Sequence, residues 1–147
     1  MSASGIFPSD DWAIAEGDTS EGPILMRYRT GDPSPADREL FNKLILVRWS
    51  YKSGDVPGLP SSEVLGTMEE FEGAVLDASD EACWWGSCVA VVTHNGSREW
   101  RFYTPDVDGF QREFSEALRG LGPYPLDLQV FDDPGWNGFA EIRESVS

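Results

Sequence analysis

The chain has 147 residues, with 26 acidic side chains against 11 Lys and Arg and a single histidine, for a formal net charge of −15. That length suits one domain, and a composition of 40% apolar and 12% aromatic residues argues against disorder. The charge disfavours nucleic acid and anionic membranes as partners and suits a basic protein partner; no run approaches the ~18 apolar residues of a membrane span.

The opening MSASGIFPSDDW lacks the basic start and apolar run of a signal peptide, so a cytoplasmic location is expected. Residues 1–10 are polar and read as a flexible N-terminus. DWAIAE (11–16) and PILMRYR (23–29) flank the turn-rich GDTSEG and predict a β-hairpin. Ser34-Pro35 opens one helical turn through Phe41. KLILVRWSYK (43–52) is the strongest strand pattern, closed by a loop rich in Gly and Pro.

In residues 61–80 the period changes to three and four: Val64, Leu65, Met68, Phe71, Val75 and Leu76 trace one helical stripe, with Ser61 or Ser62 as cap and Glu69, Glu70 and Glu72 mainly off it. SCVAVVTH (87–94) and SREWRFYT (97–104) are joined by Asn95-Gly96, the preferred type I′ hairpin turn. Its register places Val89, Val91, Trp100 and Phe102 on one face, and Cys88, Ala90, Val92, Glu99, Arg101 and Tyr103 on the other. Thr104 and Pro105 are expected to start a second helix with Val107, Phe110, Phe114, Ala117, Leu118 and Leu121 inward. PLDLQVF (125–131) alternates as a last strand, DDPGWNGF (132–139) turns away, and residues 141–147 form an acidic tail. Residues 11–140 are expected to make a single domain.

From residue 43 the order is strand, helix, strand, strand, helix, strand. It predicts an α+β fold of ferredoxin-like split βαβ type, with both helices on one face of an antiparallel sheet. Val89, Val91, Trp100, Phe102, Leu126, Leu128 and Val130 are the expected core facing the helices. The N-terminal hairpin either extends the sheet or covers its open face.

At LVRWSY (46–51), REWRFY (98–103) and YPLDLQVFDDPGW (124–136), with Phe71-Glu72 on the first long helix, the chain resembles a bacterial family known as domain of unknown function 695. The resemblance spans roughly residues 11–140. It implies a small bacterial α+β domain without assigned activity and contributes no catalytic residues. Related chains are sometimes joined to a segment similar to the B-type ribonuclease E inhibitor, a hint of regulation directed at proteins.

The candidate chemistry is sparse. Asp132 and Asp133, helped by Glu99, could hold a divalent metal, but Asp-Asp-Pro is also an ordinary turn opener and adjacent strand residues point to opposite faces. Glu99 between arginines, with Arg101 and Tyr103, suits a polar or anionic ligand on the open sheet face, or a plain cross-strand ion pair. Trp84, Trp85 and Trp136 lie outside regular periodicity, either as binding anchors or as lids over the core. His94 has no nucleophile partner in a recognisable motif, and Cys83 and Cys88 are not spaced as a redox or zinc pair. No cofactor motif occurs. The reading leans away from an enzyme and towards a non-enzymatic protein-binding or regulatory module of inhibitor or immunity type. The alternatives are a small-ligand binder on the open face and a metal-dependent enzyme using Asp132, Asp133 and Glu99.

Overall fold

Asn95 and Gly96 both take positive φ, 48° and 85°, as a type I′ turn requires, and the strands on either side fold back in the expected register, with His94 opposite Ser97 and Val91 opposite Trp100. The structure is a computed structural model and describes residues 6–7, 11–20, 22–56, 58–81 and 84–145. In chain order the elements are β1 (Trp12–Thr19), β2 (Gly22–Arg29), α1 (Pro35–Leu40), β3 (Lys43–Ser50), α2 (Ser62–Glu81), β4 (Ser87–His94), β5 (Ser97–Thr104), α3 (Val107–Ala117), β6 (Leu126–Asp132) and α4 (Asn137–Ser145). No described helix is long and apolar enough to cross a membrane.

The six strands form one sheet in the order β1-β2-β4-β5-β3-β6, and every neighbouring pair is antiparallel. The N-terminal hairpin extends the sheet: β2 pairs with β4 from Ile24 opposite His94 to Tyr28 opposite Ala90. The fold is therefore α+β, with a six-stranded antiparallel sheet and four helices among the described residues.

One face carries α2 and α3. Met68, Phe71 and Val75 of α2 and Phe110 and Phe114 of α3 pack with Ile45, Val47, Trp49, Val91, Trp100 and Phe102 of the sheet. Phe71 meets Trp100 edge-on at 4.8 Å. Burying such a side chain contributes about 1.5–3 kcal/mol, and the helical spacing of three and four is what brings these residues onto a common stripe. Ser61 Oγ accepts from the amide of Val64 at 3.2 Å, capping α2 as expected.

Several expectations need correction. A β-bulge between Cys88 and Ala90 leaves Val89 as an extra residue: Cys88 opposes Phe102 and Ala90 opposes Arg101. One inserted residue reverses the alternation beyond it, so Cys88 joins the helix-side core and Val89 the opposite cluster. Val130 is 43% exposed, because β6 is an edge strand and only Leu126 and Leu128 reach the helix-side core. Thr104 does not cap α3. Its hydroxyl donates to Trp85 O at 2.7 Å and accepts from the Asp106 amide, and the N-cap position moves to Asp106. Leu121, expected inward, lies past the end of α3 and is 37% exposed.

The largest departure is at the C-terminal end. Where a turn and then an acidic tail were expected, Asn137–Ser145 forms α4, and Phe139 and Ile142, three apart, are buried beneath it. They join Phe7, Phe41, Leu44, Val89, Ala90, Tyr103 and Trp136 in a second core on the face opposite α2 and α3. The sheet is thus packed on both faces, although Ile14 and Val130 on its two edge strands stay exposed on the α2–α3 face.

Candidate functional site

Trp136 anchors the partly covered face. It adopts a positive φ of 56°, and its ring lies flat on Tyr103, with centroids 3.9 Å apart and planes 4° from parallel. Its indole N–H donates to Phe41 O at 2.9 Å, tying the segment before α4 to the end of α1. Beneath it, the Tyr103 hydroxyl donates to Asp133 Oδ2 at 2.6 Å and accepts from the Phe139 amide at 3.2 Å. Asp133 Oδ1 accepts from the Asn137 amide at 2.9 Å, and Oδ2 from the Gly138 amide at 2.8 Å. Asp133 therefore satisfies the first amides of α4, which have no partner within the helix. Burial, with the bonded Asp133 carboxylate, pushes the Tyr103 phenol well above the usual tyrosine range.

Asp132 points the other way and pairs with Lys43 across the β3–β6 ladder. The two adjacent aspartates thus diverge, as strand geometry dictates. Glu99 is held between two arginines, accepting from Arg48 Nη2 at 2.9 Å and Arg101 Nε at 3.0 Å. Arg101 reaches on to Gly138 O at 2.7 Å and Glu141 Oε2 at 3.0 Å, so a row of alternating charge runs from β3 across β5 to α4. Among the described residues, no three His, Cys, Asp or Glu side chains gather as a metal-holding group.

Beyond Arg101 the sheet surface is uncovered. Between α4 and the β3–β6 edge lies an open groove of 740 Å³ with Leu44, Leu46 and Phe131 on the sheet side and Ala140, Glu141 and Glu144 on the helix side. Phe131 is 46% exposed. The helix side of the groove is acidic, with Glu141 and Glu144 of α4 lining it.

The other sequence candidates scatter. Trp85 is buried against Phe110 at 5.4 Å, whereas Trp84 is half-exposed with the Arg112 guanidinium over its ring. Trp136 and Tyr103 are buried packing elements, and Glu99 is nearly so; Arg101 alone of the ligand candidates borders the groove. His94 Nε2 lies 2.9 Å from Thr19 Oγ1 at the far end of the sheet. Cys88 is wholly buried, and that burial pushes its thiol up to about 12; Cys83 lies outside the described residues.

Sequence reasoning missed two features. Glu72, placed off the helical stripe, instead faces the sheet, accepting from the Trp100 indole N–H at 2.9 Å and pairing with Arg27. The groove residues Leu46, Phe131, Glu141 and Glu144 were also missed. The signal available was the pair Val130-Phe131 with no second covering element, and it becomes informative only once β6 is known to lie at an edge.

Taken together, the molecule is a small acidic α+β protein with helices packed on both faces of its sheet and, on the α4 face, a groove left open along one edge. Its sequence matches a family model described as a family of unknown function, DUF695, over residues 10–142, and the chain belongs to that family. No curated protein matches it.

Proposed function

We propose that the protein is a non-enzymatic binding module of the bacterial cytoplasm that recognises a cationic partner protein through the groove between α4 and β6, in a regulatory role of inhibitor or immunity type. The observation that carries this reading is the groove itself, whose apolar floor of Leu44, Leu46 and Phe131 lies beneath the acidic side chains of Glu141 and Glu144. A net charge of −15 would steer a basic partner towards it. An apolar centre with a charged rim is the arrangement in which association energy comes from the floor and selection from the rim. The strand order β6-β3-β5-β4, with α2 and α3 on one face, supports a ferredoxin-like split βαβ reading of this part of the chain, enlarged by the N-terminal hairpin and α4.

The experiment compares proteins retained from the native host by the wild type and by Phe131→Lys/Glu144→Lys at low and high salt. The expected result is a basic protein held by the wild type at low salt, released at high salt, and absent from the variant. Equal recovery on both baits would overturn the reading.

A small-ligand reading draws on the same groove, whose 740 Å³ falls within the ~300–1,000 Å³ of ligand sites and which Arg101 borders. Its openness to solvent along β6 favours the protein partner. For a metal-dependent reaction, Asp132, Asp133 and Glu99 would have to release Lys43, the α4 amides and two arginines respectively.

A further inference from the structure

Resting on that reading, we infer that the partner docks by strand addition: an extended segment with an apolar centre and Lys or Arg at both ends pairs with the free edge of β6. Among the described residues β6 is terminal in the sheet and bonds on one side only, to β3. Alternate residues of an antiparallel edge strand turn their N–H and C=O groups away from their neighbour, which leaves a template for another strand. Natural edges are usually blunted with charged side chains, above all lysine, with proline or with a bulge. Leu126–Asp132 reads LDLQVFD and lacks lysine, proline and a bulge, so its charges, Asp127 and Asp132, oppose an acidic strand and admit a cationic one. Its two exposed apolar side chains, Val130 at 43% and Phe131 at 46%, point to opposite faces near its end.

The distribution of charge specifies the occupant. Asp127 and Asp132 stand near the two ends of the strand, with Leu128, Val130 and Phe131 between them. A six-residue strand laid beside Asp127–Asp132 would place apolar side chains against Leu128, Val130 and Phe131 and its end residues beside the two aspartates. These face opposite sides of the sheet, and Asp132 also pairs with Lys43. Directly opposed residues on neighbouring strands interact most strongly, and opposite charges there are favourable. Phe131 also lines the groove, so one face of the added strand is continuous with the apolar floor beneath α4. A second copy of this chain is a poorer occupant, because each copy carries a net charge of −15 and would bring its own aspartates to the pairing.

The test uses the full chain and the synthetic peptide acetyl-Lys-Val-Val-Thr-Val-Lys-amide, whose antiparallel register sets its first Lys opposite Asp132 and its last opposite Asp127, with a control peptide bearing Glu at both ends. Affinity is read by fluorescence anisotropy, and amide hydrogen exchange by NMR. The expected result is binding of the Lys peptide about tenfold or more tighter than the Glu peptide, with slowed exchange at residues 126–132. Asp127→Lys, an exposed substitution, is expected to reduce or reverse that preference while leaving the native spectrum unchanged. Binding of the Lys peptide with protection confined to α4 would overturn strand addition while leaving the cationic-partner reading in place. Failure of the Lys peptide to bind, equal binding of the two peptides, or self-association through β6 in sedimentation velocity would also overturn the inference. The cationic-partner reading is decided separately by the groove variant and its retained proteins.

Discussion

Asp133 accepts bonds from the Tyr103 hydroxyl and from the amides of Asn137 and Gly138, so one buried carboxylate joins β5, the end of β6 and the first turn of α4. Asp133→Ala would leave all of these donors short of an acceptor. The expected loss is about 2–4 kcal/mol, read as a lower urea midpoint, while Asp133→Asn retains acceptor oxygen and loses less. Tyr103 contributes to the alkaline pH dependence, alongside the Cys88 thiol. Its folded-state pKa is raised above the ordinary 10.0, so the native state holds the phenolic proton more tightly than the unfolded chain. That contribution is complete below pH ~10 and is lost as pH climbs through and above it. Denaturation midpoints measured upward from pH 9 should fall more steeply for the wild type than for Tyr103→Phe; parallel slopes would contradict this assignment.

At the scale of elements, α4 is the segment whose placement decides what the second face can do. Gly138 sits so close to the sheet that an added Cβ would meet Leu44 Cδ2 at 2.6 Å and Tyr103 Oη at 3.2 Å. Gly138→Ala is therefore expected to lift the first turn of α4 and cost about 1–3 kcal/mol, visible in thermal unfolding. Glu144→Ala, on the rim of the groove, should change stability by less than about 0.5 kcal/mol. The elements themselves could largely be read from residue patterns. Asn95-Gly96 defines the β4–β5 hairpin, and Met68, Phe71 and Val75 define the buried face of α2. The cap at Ser34 and Pro35 starts α1, where Ser34 Oγ accepts from the Asp37 amide. The bulge at Val89 could not be read, because an alternating run such as SCVAVVTH is compatible with either phase until the partner strand fixes it. Nor could α4, whose short length and Gly138 give a weak helical pattern. It is held by Trp136, Asp133 and Arg101, residues that earlier strands and turns bring to it.

Across the whole molecule, 26 acids against 11 Lys and Arg impose self-repulsion that the fold tolerates at a cost in stability. Added sodium chloride screens that repulsion over ~10 Å at 0.1 M. The melting temperature should therefore rise from low salt to roughly 0.3 M, and a fall would mean that exposed pairs such as Lys43–Asp132 outweigh the net repulsion. The same acidity suits the basic partner proposed above. The location of the candidate site was another matter: of the residues singled out in advance, Trp85, Trp136 and Tyr103 are packing elements, and Arg101 alone among the ligand candidates borders the groove.

Local periodicity, turn chemistry and net charge are properties of neighbouring residues, and those alone determined the α+β class, the principal helices and strands, and the acidic character of the surface. Strand order, the phase of β4 beyond its bulge, and the division of the second face into a covered half and an open groove were decided only by the tertiary structure. They depend on contacts between residues as distant as Trp136 and Phe41, or Arg101 and Glu141. Such pairings leave no trace in the spacing of side chains along the chain.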